Sequence, residues 1–173
     1  VNNIRAATNL VREKKLKEPL VDFSSFDEAK PVFELDEILE VNPHRFEMRL
    51  LDAILHLDAE TAVGYKDISQ DEFWVRGHFP ERPLMPGVLI CECAAQLSSF
   101  FAIRQKLVDH GYVGLGGLEK VRFRGPVAPG DRLLLMLRKR RVRRNQMFTA
   151  DFQGYVDKAL IVDGIVCGVA LGD

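Results

Sequence analysis

His78, Gly87 and Glu92 stand close together in the run Gly77-His78-Phe79-Pro80-Glu81-Arg82-Pro83-Leu84-Met85-Pro86-Gly87-Val88-Leu89-Ile90-Cys91-Glu92. A neutral imidazole is the usual base for a carbon acid near neutral pH. A carboxyl group carried into an apolar helix resists ionisation, which suits it to donate a proton. The N–H groups of a helix start favour negative charge, and a donor aimed at a developing oxyanion is worth roughly 2.7–4 kcal/mol. Together these groups suit one reaction. A carbonyl oxygen binds at Gly87, His78 removes the α-proton, and Glu92, or a water it holds, protonates a departing β-hydroxyl. The reverse is hydration. No metal and no organic cofactor is required. Each residue alone has a plainer reading: a histidine bonded to its own loop, a glycine needed for packing, a glutamate satisfied by backbone or by a subunit neighbour. Their combination favours chemistry.

The elements that must position these groups follow from pattern. Pro80, Pro83 and Pro86 predict a stiff, polyproline-like path for residues 71–86. Gly87 to about Lys106 predicts one long helix, with Pro86 in its first turn. Its apolar residues surround the axis, so it is expected to be buried on all sides. Glu92, Gln96 and Ser99, spaced i, i+4, i+7, form a polar stripe on that helix. Residues 36–40 predict one or two helical turns stopped by Asn42-Pro43. Phe46 to Leu57 and Thr61 to Tyr65 predict a hairpin turning at Asp58-Ala59-Glu60. Tyr112 to Phe123, Arg132 to Arg143, Met147 to Val156 and Ala159 to Leu171 predict four more strands, the last three meandering antiparallel. The expected class is α+β: a long central helix wrapped by one curved antiparallel sheet. Residues 1–35 read as an N-terminal extension, partly helical or flexible, and 36–173 as the folded domain. An arm reaching over a neighbouring subunit is one expectation for the extension.

Composition bounds the partners. The net charge of −1 offers no overall field for nucleic acid or a membrane surface. Three cysteines, Cys91, Cys93 and Cys167, form no disulfide framework and suggest a reducing compartment. No apolar run reads as a membrane span, and the first residues lack the apolar core of a secretory leader. The cytoplasm is the expected location. His44, His56, His78 and His110 show no metal-ligand spacing, and His44 reads as structural, ordering the segment before the first strand. Cys91 and Cys93 read as buried small hydrophobes. Of Phe73 and Trp74, one is expected to pack beneath the sheet and the other to line a substrate tunnel.

The motifs Gly77-His78-Phe79-Pro80, Arg82-Pro83, Met85 to Ile90 and Glu92 with Ala95-Gln96 resemble those of the β-hydroxyacyl-[acyl-carrier-protein] dehydratases of fatty-acid synthesis. The resemblance extends to Pro43-His44-Arg45-Phe46, Leu50-Leu51-Asp52, Val121 to Val127 and Pro129-Gly130-Asp131. It spans roughly residues 38–171. It implies the hot-dog fold, a homodimer that assembles in some members as a trimer of dimers, and a site at the subunit interface. There His78 of one subunit works with Glu92 of the other, Gly87 supplies the backbone donor, and Phe79, Pro86, Val88 and Gln96 contact substrate. The implied partner is acyl carrier protein bearing a (3R)-3-hydroxyacyl group, with the basic run Arg138 to Arg144 as a docking surface. Glu rather than Asp at 92 resembles the branch that dehydrates without isomerising. The chain departs from the family pattern at Glu81, where Gly is usual, and lacks a Pro near Glu47 and an Arg near Ala53. The competing readings are a hot-dog thioesterase and a non-catalytic acyl-binding subunit.

Overall fold

The computed structural model describes residues 17–109 and 111–172; His110 and the first sixteen residues of the extension lie outside that range. Helix α1 spans Leu35–Val41, and its start is closed by a capping box between Glu34 and Glu37. Strands β1 (Ala53–Leu57) and β2 (Thr61–Asp67) form the first hairpin. Helix α2 spans Gly87–Arg104. It is followed by β3 (Tyr112–Phe123), β4 (Arg132–Arg143), β5 (Met147–Val156) and β6 (Ala159–Leu171). The six strands form one antiparallel sheet in the order β1-β2-β4-β5-β6-β3.

The sheet curls around α2. Cys93, Leu97, Phe100 and Phe101 of the helix pack with Ile54, Leu133, Leu135, Phe152 and Val162 of the strands. Phe100 and Phe101 are fully buried, each contributing about 1.5–3 kcal/mol. By length and composition α2 could cross a bilayer, against the sequence expectation, but with most of it enclosed by the sheet it is a core helix. This is the hot-dog architecture.

A second apolar cluster lies apart from the helix-facing core. Val21 of the extension, joined by Leu20, Phe23 and Phe26, covers Leu55, Val63, Leu134, Met136 and Tyr155. The Gln153 side chain accepts from the Leu20 N–H and donates to the Glu18 carbonyl. Buried Asp163 accepts from Lys17 and Arg124. The described part of the extension therefore covers its own chain's sheet.

Three local expectations are corrected. The strand expected from Phe46 begins only at Ala53, because Phe46–Met48 forms a 3₁₀ turn with Phe46 at φ 54°. Residues 71–86 do not run extended but fold as successive turns, with Val75 N–H donating to Glu72 and the Gly77 and His78 N–H groups to Trp74. Helix α2 stops at Arg104, and Lys106 beyond it takes a left-handed conformation at φ 53°.

Candidate active site

The loop before α2 is anchored at both ends. Buried Lys66 of β2 pairs with Asp52 at 3.3 Å and with Glu72 at 3.1 Å. Buried Trp74 plugs the loop into the core, while Phe73 beside it is exposed. Beyond the turns, His78 and Leu84 meet twice. The Leu84 N–H donates to the His78 carbonyl at 2.8 Å, and His78 Nδ1 lies 2.7 Å from the Leu84 carbonyl. A carbonyl only accepts, so Nδ1 carries a hydrogen, and in the neutral ring the lone pair is then on Nε2. The imidazole stacks on Phe79, with ring centres 4.2 Å apart. The loop then joins the sheet through the Met85 N–H, which donates to Val127 at 2.7 Å.

Pro86 is the N-cap of α2 rather than part of its first turn, and Gly87 is the first helical residue. The Gly87 N–H belongs to the first turn, whose donors have no partner within the helix. A Cβ at Gly87 would come within 2.8 Å of the Phe123 ring. A small residue is thus needed for strand β3 to approach the helix start. Val88 is 76% exposed and Phe79 54%, so the mouth of the helix carries uncovered apolar surface.

The polar stripe of α2 is a support for Glu92. Gln96 is buried, and both its amide hydrogens and its amide oxygen are engaged inside the chain. Its Nε2 donates to the Met48 carbonyl and to Glu92 Oε1, both at 2.9 Å, and its Oε1 accepts from Leu50 N–H at 3.1 Å. Asn42, also buried, donates to the Gln96 carbonyl at 3.0 Å. Residues 42–50 are therefore clamped across the helix at the level of Glu92. On that clamp, His44 Nε2 lies 3.4 Å from Glu92 Oε1. Burial pulls the His44 pKa below its ordinary value, and the Arg45 cation adds to this against the opposite pull of Glu92.

Glu92 and His44 share a cavity of ≈140 Å³ with Ser99 of the helix, Leu115 of β3 and Cys167 of β6. Ser99 Oγ and His44 Nδ1 are buried in it without a hydrogen-bond partner among the described residues. His78 does not line this cavity, so one chain holds the imidazole and the carboxyl group in separate places. Cys91 and Cys93 are buried, and burial pushes both thiols upward in pKa, away from nucleophilic use. The basic run is largely paired in place: Lys139 with Glu60, Arg140 with Asp151, Arg144 with Asp109, and Arg138 with the Leu20 carbonyl.

Sequence reading missed the contact of His44 and Asn42 with this site. Both sit just after the stop of α1, far from α2 in the chain, and no periodicity links them to it. The available signals are a histidine and an asparagine flanking Pro43 next to a helix end, and the place of Pro43-His44-Arg45-Phe46 among the motifs of the resemblance.

The family profile of the FabA-like domain matches residues 42–165. The chain is 38% identical over 144 residues to 3-hydroxyacyl-[acyl-carrier-protein] dehydratase FabZ of Agrobacterium fabrum, covering 81% of this chain and 93% of that one. Among solved structures it is similar to the dehydratase heterocomplex ApeI:P from Xenorhabdus doucetiae. The TM-score is 0.65 at 15% identity, over 79% of this chain and 91% of that chain. It is also similar to Cj0977, a sigma28-regulated virulence protein from Campylobacter jejuni. There the TM-score is 0.62 at 13% identity, over 91% of this chain and 97% of the other. At those identities the structural likeness concerns the fold alone.

Proposed function

This chain belongs to the FabA-like family, and from that premise we propose that it dehydrates 3-hydroxyacyl thioesters of acyl carrier protein to trans-2-enoyl thioesters. The observation that carries the reading is the fixed tautomer of His78. Its Nδ1–H is held by the Leu84 carbonyl at 2.7 Å, which leaves Nε2 as a base. The Gly87 N–H receives the thioester oxygen and stabilises the enolate. Nε2 of His78 takes the α-proton, and the electrons of that C–H bond form the Cα=Cβ bond. The Cβ–O bond breaks as Glu92 gives its proton to the hydroxyl, which leaves as water. Phe79, Pro86 and Val88 flank the entry and would contact the thioester arm. Gln96, with its amide spent on Glu92 and residues 48–50, would act through Glu92.

In this reading the site is shared between two copies of the chain. Strand β3 is a twelve-residue edge strand, and Tyr112, Leu115, Leu118 and Phe123 on it are exposed. An edge that long and apolar calls for cover. The opposite edge, β1, is met by Phe33, which bridges to Ile54. Pairing β3 with its counterpart about a two-fold axis would cover the edge and bring a second copy's His78 loop towards the Glu92 cavity. The three thiols are free, in keeping with a cytoplasmic enzyme.

The test is turnover of 3-hydroxybutyryl- and longer 3-hydroxyacyl-carrier-protein by wild type, His78→Ala and Glu92→Gln. Each variant is expected to lose roughly 10²–10⁴-fold in kcat while remaining folded. Mixing the two dead variants restores about a quarter of wild-type activity if the site is shared, since half the dimers are mixed and each has one intact site. Wild-type release of free thiol without enoyl product would refute the dehydratase reading in favour of a thioesterase.

A further inference from the structure

The two carboxyl oxygens of Glu92 are treated unequally. Oε1 receives the Gln96 amide at 2.9 Å and faces His44 Nε2 at 3.4 Å. With Oε1 taken up by the Gln96 amide, Oε2 is the oxygen free to meet the departing hydroxyl. His44 is held for this contact by its backbone. Arg45 donates to the carbonyls of Leu39, Asn42 and His44 itself, and Asn42 is tied to the helix through the Gln96 carbonyl.

The partners also select the tautomer. Nε2 faces a carboxyl oxygen, whereas Nδ1 is buried with no partner among the described residues. A proton on Nδ1 would bury an unpaired N–H and, with Nε2 also protonated, an imidazolium charge. An unpaired lone pair costs less. Burial and the neighbouring Arg45 cation favour the neutral ring as well. His44 is therefore neutral with its hydrogen on Nε2, the reverse of His78.

At 3.4 Å the contact is loose for a hydrogen bond. A neutral carboxyl group attracts an N–H weakly, and a carboxylate attracts it strongly. A contact that tightens only as charge develops lowers the barrier without strengthening substrate binding. We propose that His44 is a positioning residue that stabilises Glu92 as it gives up its proton; this rests on the dehydratase reading, in which Glu92 is the acid. The proton leaves Oε2 for the departing hydroxyl. The electron pair of the O–H bond stays on the carboxylate, whose Oε1 is then held by both Gln96 and His44. His44 itself neither gains nor loses a proton. The titratable groups around the pair are Arg45 on the same segment and the Cys167 thiol across the cavity.

The test compares wild type, His44→Phe, His44→Gln and Glu92→Gln on 3-hydroxybutyryl-carrier-protein across pH. In His44→Phe, kcat falls roughly 10- to 100-fold with KM changed less than about twofold. The pH profile of kcat changes as well, because the group beside Glu92 Oε1 no longer donates. His44→Gln, whose amide replaces the Nε2–H and cannot titrate, restores most of kcat and the wild-type pH profile. Unchanged kcat in His44→Phe, a loss confined to KM, or a folded His44→Gln as impaired as His44→Phe would each overturn the proposal. If His44→Phe does not fold, His44→Gln and nitrogen NMR of the wild-type ring decide, and an Nδ1–H or cationic His44 at neutral pH refutes it. An inactive wild type, or a fully active Glu92→Gln, would instead sink the dehydratase reading, an outcome distinguishable from all of these.

Discussion

Replacing Gln96 by alanine should damage both stability and catalysis, by amounts that follow from its three hydrogen bonds. Leu50 is fully buried, and its N–H finds its acceptor in Gln96 Oε1. Orphaning that donor costs about 1–3 kcal/mol. Losing the bonds from Nε2 to Met48 and Glu92 costs roughly 1 kcal/mol net each. The sum, about 3–5 kcal/mol, corresponds to a Tm lower by about 6–20 °C for a chain of this size. Calorimetry and urea unfolding at one fixed protein concentration would measure it, since assembly makes Tm concentration-dependent. In the same protein kcat should fall at least about tenfold with KM nearly constant, because Gln96 reaches the substrate only through Glu92. Gln96→Glu is the informative control. It keeps the acceptor for Leu50 but turns a second carboxylate towards Glu92, so its stability should recover as pH falls and the pair shares a proton. A Gln96→Ala change below about 1 kcal/mol, the level of an ordinary surface substitution, would refute the reasoning. A defect seen in KM alone would return Gln96 to a substrate contact.

Three further outcomes are expected. Leu118→Arg on the β3 edge should give a monomer by light scattering and abolish turnover, because it sets a charge where apolar surface needs cover. Asp163→Asn should cost about 1–3 kcal/mol, less than a fully buried pair, since Lys17 and Arg124 can turn to water. Although burial pushes the Asp163 pKa up, Lys17 and Arg124 outweigh it and the net shift is downward. Its contribution is then present above about pH 4 and lost as pH falls through the folded value, so Asp163→Asn should flatten the acid limb of a stability–pH curve. His44, whose folded pKa lies below the ordinary value, stabilises fully above about pH 6.5 and loses that contribution as pH drops further. Urea midpoints of His44→Gln should therefore vary less than wild type between about pH 6.5 and 5.

Where an element's backbone partners come from its neighbours in the chain, the sequence revealed it. Strands β4, β5 and β6 pair in chain order across turns at Asn145 and Asp157-Lys158, and all three of those residues do adopt positive φ. Helix α2 was legible because it is apolar all round. Residues 46–52 were not, because consecutive Leu50 and Leu51 are both buried and the backbone there is satisfied by the side chain of Gln96. Apolar residues of that kind read as strand, and nothing local says that the hydrogen-bond partner is an amide on a distant helix.

The two histidines carry the same lesson into the site. His44 follows Pro43 and His78 precedes Pro80, and by type alone each is a base, a donor or a fastener. What separates them is one neighbour apiece. The Leu84 carbonyl takes the hydrogen of His78 on Nδ1 and frees Nε2 to accept a proton. The Glu92 carboxyl group draws the hydrogen of His44 to Nε2 and leaves it a donor. The first neighbour lies six residues away and is held by the loop's own turns, so a local reading could anticipate a functional His78. The second lies across the fold, brought there by a segment tied to α2 through Gln96. A histidine's chemistry is thus legible from sequence only as far as its hydrogen-bond partner is local. Swapping the acceptors is the corresponding physical test. Glu92→Leu removes the oxygen beside Nε2 of His44 and leaves the Leu84 carbonyl in place, so nitrogen NMR should show the His44 tautomer ratio move while that of His78 stays unchanged.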